Sequence, residues 1–144
     1  MYVEKNKAVV RQIFETDYSK VTEQIITKQK AELFSSDFVS HTPEGDLDLD
    51  TFFKGVSAML KAFPDVKFTL EDMVAEGDKV TTRYTTSATH RGEFMGIPAT
   101  GKKIKISGFE IRRLSGGKMV EYWGLMDSLS LMRQLGAMPP ARQR

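Results

Sequence analysis

The hydrophobic pattern of this 144-residue chain changes period once, at Pro64. Before that proline, apolar residues recur at spacings of three and four, the spacing of one helix face. After it they alternate, the spacing of a strand with one buried face. The alternation breaks at Gly77-Asp78 and again at Gly116-Gly117. Two-residue glycine turns of this kind join antiparallel neighbours into hairpins. Helices first and hairpins afterwards predict an α+β fold, with the helices on one face of a curved sheet around a conical cavity.

The helical part reads as three segments. Residues 4–19 carry Ala8, Val9, Ile13 and Phe14 on one stripe, and residues 22–34 continue with Ile25, Ile26, Leu33 and Phe34. Residues 50–63 form the third, capped by Asp50 or Thr51 and ended by Pro64. A short strand is expected over 37–42, followed by a Gly- and Asp-rich loop to 50. The hairpins span 66–91 and 104–127, with a long Gly- and Pro-containing connection between them. A helical turn over 128–135 stops at Gly136. Residues 1–138 are expected to form a single domain, and 139–144 a flexible tail.

Composition removes several functions. Lys plus Arg number 21 against 19 Asp plus Glu, too balanced for a nucleic-acid or anionic-membrane binder. Cysteine is absent, which excludes disulfides, a thiolate nucleophile and cysteine zinc sites. Two histidines are too few for an ordinary zinc centre, so no metal is expected. The charged N-terminal stretch lacks the apolar region of a secretory signal, and no apolar run approaches membrane-span length. A soluble, cytoplasmic protein is expected.

Turn geometry sets register, and register sets which side chains share a face. Counting from Ser115 opposite Lys118 puts Arg112 opposite Glu121, Glu110 opposite Trp123, and Ile106 opposite Asp127. Ile106, Glu110, Arg112, Glu121, Trp123, Leu125 and Asp127 would then line the concave side, with Phe109, Ile111, Val120, Tyr122 and Met126 on the other. In the first hairpin, Glu76 opposite Lys79 puts Asp72 opposite Arg83 and Leu70 opposite Thr85. Val66, Phe68, Leu70, Val74 and Arg83 would share the concave face, where Arg83 needs Asp72 or Asp127 as its carboxylate partner.

Three segments carry a resemblance that spans residues 6–139. They are DFVSHTP at 37–43, THRGEFMGIPATG at 89–101, and GGKMVEYWGLMD at 116–127 closed by RQLG at 133–136. Together they resemble the SnoaL-like polyketide cyclase family of the NTF2-like superfamily. The resemblance implies a cone of about six bent strands under three helices, a homodimer, and no metal or organic cofactor. It also implies a last-strand aspartate, Asp127, as general acid/base for an aldol-type ring closure. A related branch, the limonene-epoxide hydrolases, uses an Asp-Arg-Asp triad. Arg83 and Asp127 match two members, but Thr85 stands where the middle aspartate belongs, with His41 and Val39 at the Asn and Tyr positions. Those departures weigh against epoxide hydrolysis.

Asp127, Glu110 and His41 are therefore the candidate catalytic residues, and Arg83, Trp123 and His90 the candidate substrate-binding ones. Each has a plainer role to set beside the functional one. Asp127 is placed to cap the last helix. Glu110 could pair with Arg83 or Arg112, and Trp123 could be core. The expected activity is cofactor-independent acid/base chemistry of ester-cyclase type on a hydrophobic carbonyl compound. The alternatives are a non-catalytic binder of hydrophobic small molecules, an epoxide hydrolase or isomerase using the same cavity, and a dimerisation module whose cone is filled.

Overall fold

The computed structural model describes residues 2–138, and the expected tail lies outside them. The elements run α1 (Tyr2–Glu15), a 3₁₀ turn (Tyr18–Lys20), α2 (Glu23–Leu33), β1 (Phe34–Thr42), β2 (Gly45–Asp48) and α3 (Leu49–Ala62). After Pro64 come β3 (Lys67–Glu76), β4 (Lys79–Thr89), β5 (Lys103–Ser115), β6 (Lys118–Met126) and α4 (Ser128–Gln134). The fold is α+β, as the change of period predicts. Among the described residues no helix is long and apolar enough to cross a membrane.

Boundaries move where local chemistry is stronger than periodicity. Asp48, two residues before the expected cap, accepts the Thr51 N–H at 2.8 Å and starts α3. The stretch expected as a loop after Pro43 instead pairs back on β1 as β2, with Val39 opposite Asp48 and Thr42 opposite Gly45. A hairpin this short carries too few alternating residues to show its period.

The six strands form one sheet in the order β2-β1-β6-β5-β4-β3. Only β1 and β6 run parallel; the other neighbours are antiparallel. The helices cover the concave face. One core cluster gathers Val10, Phe34, Phe38, Phe53, Val80, Leu114 and Met119 beneath α1 and α3. Another gathers Phe63, Val66, Ala88, Ile104, Ile106, Leu131 and Leu135 at the end closed by α4.

Both hairpins keep the expected register at their turns and lose it beyond a bulge. In β6, Ser115 pairs with Lys118 and Leu114 with Met119, but Arg113 then pairs with Glu121, leaving Val120 as an extra residue. In β3, Asp72 pairs with Arg83 as predicted, but Leu70 pairs with Tyr84, leaving Glu71 extra. One extra residue exchanges the two faces for everything beyond it. On β6 this turns Tyr122, Gly124 and Met126 toward the helices and Glu121, Trp123 and Leu125 away. On β3, Phe68, Leu70, Met73 and Ala75 are partly buried while Val74 is exposed. The expected concave set is corrected accordingly: Glu110 and Arg112 are inside, whereas Trp123, Glu121, Leu125, Val74 and Arg83 are not.

Candidate functional site

The cone holds a cavity of about 400 Å³ between sheet and helices. Its walls are largely aromatic, with Phe14, Phe34, Phe52, Phe68 and Phe94 among the lining residues. Phe94 comes from the β4–β5 connection, at a tight turn in which Phe94 and Ile97 exchange backbone hydrogen bonds. The cone is thus not filled by its own side chains.

Glu110, Arg112, Tyr84 and Tyr122 form a polar cluster on the sheet side of this cavity, with Ser40 and Thr42 of β1 also in its lining. Glu110 and Arg112 sit two apart on β5, so both point inward. The guanidinium grips the carboxylate with both arms: Nε donates to Oε1 at 2.8 Å and Nη2 to Oε2 at 3.2 Å. Their side chains are only 4 % and 7 % exposed, so this is a buried ion pair with its charges cancelled locally. Arg112 also lays its guanidinium 4.9 Å from the Tyr122 ring centroid and points Nη1 at the Met119 sulfur. Burial alone would lower its pKa, but the Glu110 charge and hydrogen bonds prevail and raise it, so Arg112 stays cationic.

The two tyrosines are phenols across the neutral range. Burial first, then the Glu110 charge, pushes Tyr84 up to about 12. The same two causes raise Tyr122 well above the usual phenol range. Their rings lie over bare backbone. A Cβ on Gly108, the β5 partner of Tyr84, would come within 2.4 Å of the Tyr84 ring. A Cβ on Gly124 would lie 2.3 Å from the Tyr122 hydroxyl. Glycine inside a strand is thus what admits these rings.

The sequence candidates divide between this cluster and the outside. Glu110 is inside. Asp127 is exposed and does not line the cavity; its Oδ1 accepts the Ser130 N–H at 3.0 Å and caps α4. Its own N–H is tied to the Ser107 carbonyl, and its neighbour Met126 does line the cavity, which places Asp127 at the rim. This corrects the predicted register, which puts Asp127 on the cavity face with Glu110: the two do not share it.

His41 lies on the convex face. Its Nδ1 meets Asp46 at 2.8 Å and its Nε2 meets Glu121 at 2.7 Å, with the ring stacked on Trp123 at 5.0 Å. The hydrogen bonds to Glu121 and then Asp46 raise its pKa. Trp123, expected in the pocket, is on that outer face too, with the Lys79 ammonium 5.6 Å from its ring centroid. Arg83 pairs outside with Asp72 at 2.6 Å, both side chains largely in water. Glu121 pairs with Arg113, not with Arg112 as a bulge-free register requires. His90 is fully buried at the base of the β4–β5 connection; its Nδ1 accepts the Thr100 N–H at 3.3 Å and lies 3.0 Å from the Thr100 hydroxyl. It does not line the cone. Among the described residues no group of His, Asp and Glu converges as a metal site.

The Glu110–Arg112 pair is one of the two pairings the sequence leaves open for Glu110, whereas the inward place of Tyr84 and Tyr122 is what sequence reasoning misses. Their one visible signal is Gly108 and Gly124 inside otherwise regular strands, since such glycines mark bulges or close approaches.

The family model for SnoaL-like polyketide cyclases matches residues 3–135. No protein with curated function matches the chain significantly. Among solved structures, AclR from Streptomyces galilaeus, a proposed hydroxylase, is 28% identical, with 95% of this chain and 99% of that one covered and a TM-score of 0.84. IdmH from Streptomyces antibioticus, a proposed polyketide cyclase, is 27% identical, covering 91% and 98%, with a TM-score of 0.76. A proposed SnoaL-like polyketide cyclase from Jannaschia sp. CCS1 shares the fold, with a TM-score of 0.85 at 18% identity over 96% of each chain.

Proposed function

Because the chain belongs to the SnoaL-like polyketide cyclase family, we propose that it is a cyclase-type enzyme performing acid/base chemistry on a hydrophobic carbonyl compound held in the cone. The observation that carries this reading is the cavity itself: about 400 Å³, aromatic-walled, with one polar cluster at the sheet. Such a site desolvates a flat apolar substrate while leaving a few groups to orient its oxygens. The kinship with IdmH, a proposed polyketide cyclase 27% identical, supports this chemistry class, while AclR, a proposed hydroxylase, shares the fold with a different activity.

Asp127 is the group that moves the proton in this reading. One of its carboxylate oxygens is held by the Ser130 N–H, which fixes the group at the rim where β6 ends. Glu110 is less suited, since both of its oxygens are gripped by Arg112. In the ring closure, Asp127 takes a proton from the carbon next to a carbonyl. That carbon then forms the new C–C bond to a second carbonyl carbon of the same molecule. The proton returns to the resulting alkoxide, so the step is redox-neutral and gives an isomer of the substrate. Arg83 and His41 have no part in it from the convex face, and an epoxide-hydrolase triad cannot assemble around Arg83.

The test is turnover of neutral polycyclic ketones and esters, followed by mass spectrometry and chromatography for an isomeric product. Asp127→Asn should keep fold and ligand binding while turnover falls by about 10²–10⁴-fold, the usual worth of general acid/base catalysis. Wild-type rates in Asp127→Asn would leave Asp127 only a cap. Binding without turnover in the wild type would make the protein a carrier, a reading favoured by the cone's one, already paired, carboxylate.

We also propose that a second copy covers the convex face. Phe109 at 56 %, Ile111 at 37 % and Leu125 at 72 % exposure form an apolar strip beside Trp123. A strip of this kind on a sheet face marks an interaction surface. Light scattering at micromolar concentration should give twice the chain mass, and a monomer mass would refute the pairing.

A further inference from the structure

We infer that the cone selects an uncharged carbonyl oxygen, received by the Tyr84 hydroxyl with Tyr122 alongside, and rejects a free carboxylate. The inference rests on the cone being the ligand site, as proposed above, but not on turnover.

A carboxylate entering an apolar cavity needs a cation or several donors to replace its water. The cation that lines the cone is Arg112, and its charge is cancelled by Glu110 through two hydrogen bonds. Its remaining arm, Nη1, is directed at the Met119 sulfur. A second anion there would also face the Glu110 charge directly.

Of the other donors in the lining, Tyr18, Thr42 and Gln29 are committed elsewhere, which leaves only the neutral hydroxyls of Ser40 and Thr51. The Tyr18 hydroxyl donates to the Ile13 carbonyl at 2.8 Å, and the Thr42 hydroxyl to the Gly45 carbonyl at 2.6 Å. Tyr84 and Tyr122 remain as the phenols at the sheet, each close enough to Glu110 for its charge to raise their pKa. A phenol that holds its proton this firmly donates a hydrogen bond without giving up the proton. It therefore suits a neutral ketone or ester oxygen. Gly108 and Gly124 fit the same purpose, because any side chain there would push the Tyr84 ring or the Tyr122 hydroxyl out of place.

The test compares three ligands of one size by calorimetry at pH 7.5: 2-acetylnaphthalene, 2-naphthoate and naphthalene. The ketone should bind at least tenfold more tightly than the carboxylate. Tyr84→Phe should weaken the ketone by about three- to tenfold, the range of one neutral hydrogen bond, and leave naphthalene unchanged. Tyr122→Phe keeps the test available if Tyr84→Phe does not fold, with a loss for the ketone and none for naphthalene. The inference is overturned if 2-naphthoate binds as tightly as the ketone, if the phenylalanine variants bind the ketone like wild type, or if the ketone does not bind. Turnover does not enter these readings, so a protein that binds but never cyclises would refute the proposed function and leave this inference standing.

Discussion

The two faces of the sheet carry similar chemistry in opposite surroundings. Each has an arginine paired with a glutamate: Arg112 and Glu110 within, beside the Tyr122 ring, and Arg113 and Glu121 without, where Glu121 also meets His41, itself stacked on Trp123. The two arginines are neighbours in the chain. Yet the inner pair is 4 % and 7 % exposed and the outer 26 % and 33 %. Inside, an ion pair neutralises two charges that water cannot reach. Outside, the same pairing is screened by solvent and is one link in a network that continues through His41 to Asp46. Burial, rather than residue type, decides which pair can define a site.

The sharpest way to break that comparison is to remove one partner on each side. Glu110→Gln leaves Arg112 uncompensated in the interior and should cost about 3–5 kcal/mol by chemical denaturation. Arg113→Gln outside should cost about 0–1 kcal/mol. Equal losses would mean that the inner pair is hydrated through the cone. Next in size is Gly108→Ala, whose Cβ falls 2.4 Å from the Tyr84 ring. Overpacking of that kind is expected to cost about 1–3 kcal/mol in the same assay.

A third prediction separates the rim from both faces. Asp127→Ala removes the cap of α4 and should cost about 0.5–2 kcal/mol, while Asp127→Asn, which still caps, should melt close to wild type. If both variants melted alike, the cap would carry no stability.

The smallest effect is a pH dependence on the outer face. The His41 pKa is raised by Glu121 and Asp46, so the folded state binds its proton more tightly than the unfolded chain. That contribution is fully present below the unfolded histidine value near 6.5 and is lost as pH rises through the raised folded value. Melting temperatures across that window should fall more in wild type than in His41→Gln. Parallel curves would show that the network adds nothing measurable.

Much of the fold is legible because its cues are local. Period and glycine turns place the helical segments and both long hairpins, though the cap of α3 falls at Asp48 rather than at Asp50 or Thr51, and the turn-proximal register follows from Gly77-Asp78 and Gly116-Gly117. The site is legible only in part. Glu110 is identified, with Arg112 as one of its two possible partners, but Arg112 is also set across the sheet from Glu121, and Trp123 is taken inside in place of Tyr122. Both errors have one cause. Nothing in the alternation of residues 118–127 distinguishes Val120 as unpaired, because valine suits either face of a strand. Arg83 fails for a related reason: its pairing with Asp72 is correct, but Tyr84 and not Arg83 points toward the helices.

Val120 also gives β6 slack in its length. Met119 opposite Leu114 and Glu121 opposite Arg113 are already in step on either side of it, so losing the residue would close the bulge and leave Glu121 and Trp123 outward and Tyr122 inward. Beyond the bulge there is no such slack. Losing Trp123 would turn Gly124 and Met126 outward and bring Leu125 to the cone. In a lineage one residue shorter, the place along β6 at which the residue is lost would decide whether the side chains offered to a substrate change.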